Sequence, residues 1–293
     1  MESINGNDGF EKHENLENTY TLYFGRDREW SAEVELLEEI GRGNFSSAHK
    51  ARVRGPSGVD SDMVIKRVLP DLCADYFPSY EQFLVEMGPY CPTYEVCTDL
   101  NRRMKRNEIL YKEANGYRLA KSAGLKVFPY CALGVRNDEE VELVVTSGFT
   151  EDVICLGDKG ENSRLDYFDI PKMEGIENMA TFAYSIFDQA VKASRNGLQL
   201  DADTFFFLFD KTKPSEIDFV LGDLGNIKVS DMGLVESEND LFGDNVKGIT
   251  RAVTNFVNRN VAEGQRSKII KELSDLFGIY EKKYSYEFDK RRT

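Results

Sequence analysis

The sequence is poor in the side chains that build metal centres and histidine-dependent catalytic sites. Its 293 residues include 2 histidines and 5 cysteines, and no two cysteines form a Cys-x-x-Cys pair. This composition argues against a structural zinc site and against a disulfide framework. Catalysis by a histidine base is equally disfavoured, which leaves aspartate, glutamate and lysine as the candidate chemistry.

Long apolar runs and an excess of positive charge are also missing. No run of about 18 apolar residues occurs, and the first residues are acidic and polar, so neither a membrane span nor a secretory signal is predicted. The formal net charge of −14 disfavours a surface that neutralises a phosphate backbone, so nucleic acid is not an expected partner. We expect a cytoplasmic protein, or one delivered to a host cytoplasm if it is an effector, and the negative charge allows a basic protein as its partner.

The predicted secondary structure changes near the middle of the sequence, from mainly strands to mainly helices. Residues 1–28 are acidic and are predicted to form a mobile tail with little order before Trp30, although its last part, Thr19 to Phe24, shows strand-like alternation. Residues 29–147 alternate strand-like runs with one helix, whereas residues 148–293 combine helices with one hairpin. The prediction is an α+β fold of two lobes, an antiparallel sheet followed by a small helical lobe. Residues 70–102 are predicted only as an insert or short helices.

Hydrophobic periodicity predicts the individual elements of both lobes. In the first lobe the predicted strands are Val34 to Ile40, Ser47 to Val53, Met63 to Leu69, Val127 to Val135 and Val141 to Thr146, with a helix from Arg103 to Ala123 between the third and fourth. In the second lobe the predictions are a helix from Met179 to Ser194, a hairpin of Thr204 to Phe209 with Ile217 to Leu221, and two amphipathic helices around Val253 and Leu273.

Two features of the first lobe point to phosphate binding. A glycine-rich segment between two predicted strands reads Gly41-Arg42-Gly43-Asn44-Phe45-Ser46. Its backbone N–H groups could cover phosphates, although an ordinary tight turn fits the same residues. Lys66 lies on the next predicted strand, where a cation would reach those phosphates. A lysine that is merely solvated is the alternative.

Glu113 is distinctive because it lies on the apolar face of its predicted helix. It falls four residues after Ile109 and four before Tyr117. A carboxylate on a buried face needs a cationic partner, and Lys66 is the natural candidate. We therefore expect an ion pair that would hold Lys66 toward the phosphates. The alternative is a side chain that reaches solvent at the helix edge.

Taken together, these motifs resemble the protein-kinase family. The matching residues are Gly41, Gly43 and Phe45 of the glycine-rich loop, Lys66 of the third-strand motif Val64-Ile65-Lys66, and Glu113 of helix C. Ser46 stands where the family has its third glycine. The stretch from Glu113 to Pro129 also resembles the aminoglycoside-phosphotransferase branch of the superfamily. The resemblance implies a two-lobed fold that binds ATP and Mg²⁺.

For the second lobe the resemblance implies catalytic and metal-binding aspartates around the hairpin. By position Asp201 would be the base and Asp203 a metal ligand, although an Asp-Ala-Asp turn is also ordinary loop chemistry. The loop departs from the family because it is short and lacks His-Arg-Asp. The metal-binding Asp-x-Gly motif has two candidates, Asp223 and Asp231. We favour Asp223, because pairing of the hairpin strands would leave it beside Asp201 and Asp203.

The resemblance therefore implies an ATP- and Mg²⁺-dependent phosphotransferase acting on Ser or Thr hydroxyls of a protein. No Ala-Pro-Glu sequence closes an activation segment, and the helical lobe is short. In these respects the chain is similar to reduced microbial or viral kinase-like proteins. Two alternatives stay open: a catalytically impaired pseudokinase that acts as a nucleotide-binding interaction module, and a small-molecule kinase.

Overall fold

The computed structural model describes residues 19–25, 27–42, 46–68, 99–129, 131–136, 140–146, 153–156, 172–229 and 235–292. The elements of the first half are β1 (Thr19–Phe24), β2 (Trp30–Arg42), β3 (Ser46–Arg54), β4 (Asp60–Val68), α1 (Asp99–Ser122), β5 (Cys131–Arg136), β6 (Glu140–Thr146) and β7 (Val153–Leu156). Those of the second half are α2 (Met179–Arg195), β8 (Leu198–Gln199), β9 (Phe205–Asp210), β10 (Ile217–Leu221), β11 (Lys228–Val229), α3 (Val235–Asn260) and α4 (Glu263–Arg292). The α+β class is confirmed, whereas the predicted boundary near residues 147–148 lies outside the described residues.

The first six strands form an antiparallel sheet that closes into a barrel in the order β1-β2-β3-β4-β6-β5. Strand β1 closes it, because it pairs with β2 from Thr19 to Phe24 and with β5 through Tyr23 and Val135. The expectation of little order before Trp30 is therefore wrong for residues 19–24. A six-residue strand has a weak local signal, and its pairing with β5 is not visible in the sequence.

The alternation of side chains divides β4 and β6 between two hydrophobic cores. Ile65 and Val144 face the barrel interior, where they pack with buried residues of β1, β2 and β3. Leu143 and Val145 face the opposite way, into the core that includes Leu110 of α1. Because Lys66 follows Ile65 on β4, its side chain points out of the barrel toward α1. The predicted order of three strands, a helix and two strands is confirmed.

The barrel interior also contains four polar side chains, Tyr20, Arg67, Arg136 and Glu142, which we call the barrel ion cluster. Tyr20 Oη donates a hydrogen bond to Glu142 Oε2 at 2.6 Å, and Arg67 Nε lies 2.7 Å from Glu142 Oε1. Both guanidinium groups also lie over the Tyr20 ring. Burial raises the pKa of Glu142 in spite of these cations. The cluster is thus a buried carboxylate that depends on its arginine partners.

The second lobe is built around α2, whose buried face includes Phe182, Ile186 and Phe187. The predicted hairpin is confirmed as β9 and β10, which pair from Phe205 opposite Leu221 to Phe209 opposite Ile217. Strand β7, which the sequence does not predict, extends this sheet on the β9 side. The remaining helices, α3 and α4, cover α2 with the apolar stripes expected from the sequence.

A backbone bridge connects the loop after α1 to the second lobe. The N–H of Leu221 donates to the carbonyl of Lys126 at 2.7 Å, and Val127 pairs with Leu221 in parallel. The strand predicted from Val127 therefore begins only at Cys131, because the backbone before it bonds to β10 instead. This bridge fixes the end of β10, and the residues that follow it, beneath α1.

Candidate functional site

The ammonium group of Lys66 lies between two carboxylates that are far apart in the sequence, Glu113 of α1 and Asp223 after β10. Its Nζ donates to Glu113 Oε1 and Oε2 at 2.7 and 2.8 Å, and to Asp223 Oδ1 at 2.9 Å. The side chains of Lys66, Glu113 and Asp223 are 12%, 4% and 33% exposed. Burial alone would lower the pKa of Lys66, but the two carboxylates raise it well above its usual range, so the lysine is charged. The ion pair expected between Lys66 and Glu113 is present.

Helix α1 brings Glu113 to this position by packing directly on the turn that follows β10. A Cβ added at Gly116 would overlap the backbone carbonyl oxygen of Leu224, whose side chain is fully buried. One residue further, a Cβ added at Gly225 would lie 3.7 Å from the Cβ of Glu113. The glycine in the middle of α1 therefore permits the close approach that places Glu113 beside Lys66 and Asp223.

Asp223 itself has an unusual backbone conformation. Its φ of 53° and ψ of 49° are left-handed, and it precedes a 3₁₀ turn over Leu224–Asn226. A residue with a Cβ adopts this conformation at a cost, so the surrounding contacts must hold it. Asp231, the alternative metal ligand, lies outside the described residues. The choice of Asp223 over Asp231 therefore stays a prediction.

Asp201 and Asp203 lie at the turn that enters β9, and both are exposed. The Oδ1 of Asp201 accepts a hydrogen bond from the N–H of Ala202 at 2.7 Å, so the carboxylate caps its own 3₁₀ turn. The N–H of Gly222 donates to the carbonyl of Thr204 at 2.9 Å. This bond, with the β9–β10 pairing, brings the backbone after Asp203 next to the backbone before Asp223.

No preformed metal centre exists among the residues that the structure describes. In that part of the chain, no group of three or more His, Cys, Asp or Glu side chains could hold a metal ion. Magnesium in phosphate-binding sites commonly uses only one or two protein carboxylates, with phosphate oxygens and water completing its shell. The roles of Asp203 and Asp223 as metal ligands therefore stay predictions.

The glycine-rich segment lies, as expected, between two paired strands, β2 and β3. Gly41 near the end of β2 pairs with Ala48 of β3, and the pairing is irregular between Leu36 and Gly41. A Cβ added at Gly41 would meet nothing within 4 Å. Gly43 and Phe45 lie outside the described residues, so phosphate binding by this loop stays a prediction.

Sequence reasoning missed Asn245 of α3, a fully buried amide that supports the loop before Asp201. Its Oδ1 accepts from the N–H of Leu200 at 2.6 Å, and its Nδ2 donates to the carbonyl of Leu198 at 2.9 Å. A Cβ added at Gly248, on the same helix, would lie 2.8 Å from the Leu200 carbonyl oxygen. The sequence does contain a sign of this contact, because Asn245 lies within the apolar stripe of α3 and a buried amide needs hydrogen-bond partners.

A kinase is among the solved structures to which the chain is similar. No protein-family model matches the chain, and no curated protein matches it. Among solved structures, the chain is similar to the structure of vaccinia related kinase 3, with 14% sequence identity and a TM-score of 0.37 over 88% of this chain and 76% of that chain. A similarity of this size does not assign the chain to a family.

None of the helices in the described ranges is long and apolar enough to span a membrane.

Proposed function

We propose that the chain binds Mg·ATP beside Lys66 and transfers the γ-phosphoryl group to a Ser or Thr hydroxyl of a protein. The observation behind this proposal is the placement of Lys66 Nζ between Glu113 and Asp223. A lysine held on a strand by a helix glutamate supplies a fixed cation for the α- and β-phosphates. The second carboxylate that contacts the same lysine, Asp223, would help to hold a magnesium ion, which would supply positive charge to neutralise the phosphates.

Each residue of the site has one role in this proposal. Lys66 contacts the phosphates, Glu113 holds Lys66 in place, and Asp223 and Asp203 bind Mg²⁺. The oxygen of the acceptor hydroxyl would form a new bond to the γ-phosphorus of ATP. The bond between the γ-phosphorus and the β–γ bridging oxygen would break, and that oxygen would leave as part of ADP. Asp201 orients that hydroxyl and takes up its proton. Catalysis would depend mainly on positioning and on neutralising phosphate charge.

The donor set fits magnesium, and it also predicts a rearrangement. Asp223 offers a hard carboxylate oxygen and is 33% exposed, so a metal ion can reach it. The same oxygen, Oδ1, accepts the hydrogen bond from Lys66. If Mg²⁺ bound through Oδ1, it would compete with Lys66 for that oxygen, and Lys66 would then donate to a phosphate oxygen instead. Nucleotide and metal should therefore bind cooperatively.

A pseudokinase is the second candidate, and the geometry of Asp201 favours it. The Asp201 carboxylate accepts a hydrogen bond from the N–H of Ala202, which is a structural role. The same lysine and metal-binding carboxylate would then hold Mg·ATP without transferring its phosphate. The two candidates share the nucleotide site and differ only in turnover.

The proposal is tested in two stages with the purified chain. First, millimolar Mg·ATP should raise the melting temperature, because a ligand that binds only the folded state stabilises it. Second, incubation with [γ-³²P]ATP, Mg²⁺ and a cell lysate or small acceptors should label an acceptor. Absence of any ATP-dependent shift in the wild type would rule out both the kinase and the nucleotide-binding pseudokinase.

Aspartate variants then separate the two candidates. In a kinase, Asp223→Asn should reduce transfer by several orders of magnitude, whereas Asp201→Asn should reduce it about 10²-fold and leave ATP binding nearly intact. Asp244→Asn is a matched control, because Asp244 is an exposed carboxylate on α3 that has no role in the proposed site. If Asp231→Asn is the more damaging of the two metal-site variants, then Asp231 is the ligand. Binding of Mg·ATP without any transfer identifies the pseudokinase.

A further inference from the structure

The backbone of Asp223 is held by α1 through a residue that the proposed chemistry does not use. The N–H of Asp223 donates a hydrogen bond to the hydroxyl of Tyr117, which is only 4% exposed. Tyr117 follows Glu113 by one helical turn, so both side chains lie on the same face of α1. Glu113 reaches the Asp223 carboxylate through Lys66, while Tyr117 reaches the Asp223 backbone directly.

The contacts on either side of Asp223 show why this hydrogen bond matters. Before it, the N–H of Gly222 is bonded to Thr204; after it, the carbonyl of Leu224 lies against Gly116. Between these two fixed points the chain must take the left-handed conformation of Asp223. Such a conformation persists only where the surroundings determine it, and the Tyr117 hydroxyl acts on the strained residue itself.

We infer that Tyr117 is a positioning residue for Asp223: its hydroxyl fixes the left-handed backbone that directs the Asp223 carboxylate toward Lys66 and the magnesium site. The metal-binding part of this inference rests on the proposed function. The backbone restraint is a property of the protein alone. The proposal gives Tyr117 no direct role toward nucleotide or metal, because it acts through Asp223.

Tyr117→Phe tests the inference because it removes the hydroxyl and keeps the buried ring. Tyr20→Phe is the matched control, since it also removes a tyrosine hydroxyl from a part-buried hydrogen bond, the one to Glu142 at 2.6 Å. Amide hydrogen exchange should quicken about threefold or more at Asp223 in Tyr117→Phe and stay unchanged there in the control, the scale expected for one lost hydrogen bond.

The second measurement is the Mg²⁺ concentration that gives half of the ATP-dependent rise in melting temperature. We expect it to increase about threefold or more in Tyr117→Phe, while the shift with ATP and EDTA stays the same. In an Asp223→Asn background, adding Tyr117→Phe should raise this concentration no further, because the residue that Tyr117 positions no longer binds the metal in the same way.

The outcomes separate this inference from the proposed function. If Tyr117→Phe behaves like Tyr20→Phe in both measurements, the inference is overturned even though the wild type binds Mg·ATP. If the wild type shows no Mg²⁺-dependent shift, the proposed function is overturned, and with it the metal-binding part of the inference. In that case hydrogen exchange still tests whether Tyr117 restrains the backbone of Asp223. Faster exchange at Asp223 in Tyr117→Phe supports the restraint, and unchanged exchange refutes it.

Discussion

Replacing Lys66 with methionine tests whether the charged group formed by Lys66, Glu113 and Asp223 is closed to water. Methionine is unbranched and similar in length, so it fills much of the space while removing the cation. Glu113, with a side chain 4% exposed, would lose the partner that compensates its burial. Asp223 is 33% exposed and can turn toward water. Most of the destabilisation should therefore come from the Glu113 carboxylate.

The free energy needed to protonate Glu113 determines how much stability Lys66→Met loses. Neutralising a glutamate of ordinary pKa, about 4.3, costs about 3.7 kcal/mol at pH 7 and about 1 kcal/mol at pH 5. The folded variant would bind one more proton than its unfolded chain between these pH values, so its stability should rise as the pH falls. We expect Lys66→Met to lose about 3 to 4 kcal/mol of unfolding free energy at pH 7, and about 1 kcal/mol at pH 5.

Urea unfolding followed by circular dichroism at both pH values measures this difference. Lys126→Met is the matched control, because Lys126 forms an ion pair with Asp218 in which the side chains are 40% and 57% exposed. An exposed pair contributes at most about 1 kcal/mol, so the control should lose little at either pH. If Lys66→Met unfolds like the wild type at pH 7, or if its loss of stability is as large at pH 5, then burial of the Glu113 charge does not depend on Lys66 and the reasoning is wrong.

Three further substitutions test other parts of the structure by urea unfolding. Glu142→Ala should cost about 3 kcal/mol or more, because the buried guanidinium groups of the barrel ion cluster lose their shared carboxylate; Glu142→Gln, which keeps an acceptor, should lose less. Gly116→Ala should cost about 1 to 3 kcal/mol by forcing α1 away from Leu224, whereas Gly278→Ala, with open space around it in α4, should stabilise by up to about 1 kcal/mol. Asn245→Leu should cost about 2 kcal/mol and expose the Leu200 amide to hydrogen exchange, because that buried N–H loses its acceptor.

Local patterns were sufficient to predict most elements of the fold. Strands β2, β3 and β4 follow from alternation between glycine-rich turns, and α1 and α2 from apolar residues at helical spacing. The Lys66–Glu113 pair could also be predicted, because a carboxylate on the apolar face of a helix needs a nearby cation. In each case the deciding information lies within one segment, or in a simple charge requirement between two.

What the sequence did not predict depends on contacts between distant segments. Closure of the barrel requires Tyr23 to pair with Val135, and a six-residue strand does not specify its second neighbour. The late start of β5 follows from the bond between Lys126 and Leu221, which competes with strand formation. The left-handed conformation of Asp223 is similarly a tertiary effect, since it is fixed by packing against α1.

The cap formed by Asp201 bears on whether the proposed site catalyses transfer. An N-cap hydrogen bond contributes about 1 kcal/mol, and the exposed Asp201 carboxylate could exchange it for water or a substrate hydroxyl. A positioned acid–base group contributes about 10² to 10⁴ in rate, which corresponds to about 3 to 5 kcal/mol of transition-state stabilisation. Breaking the cap therefore costs less than catalysis would gain. The cap is compatible with phosphate transfer, so turnover of the wild type, measured beside its Mg·ATP affinity, distinguishes the kinase from the pseudokinase, and loss of that turnover in Asp201→Asn would assign the acid–base role to Asp201.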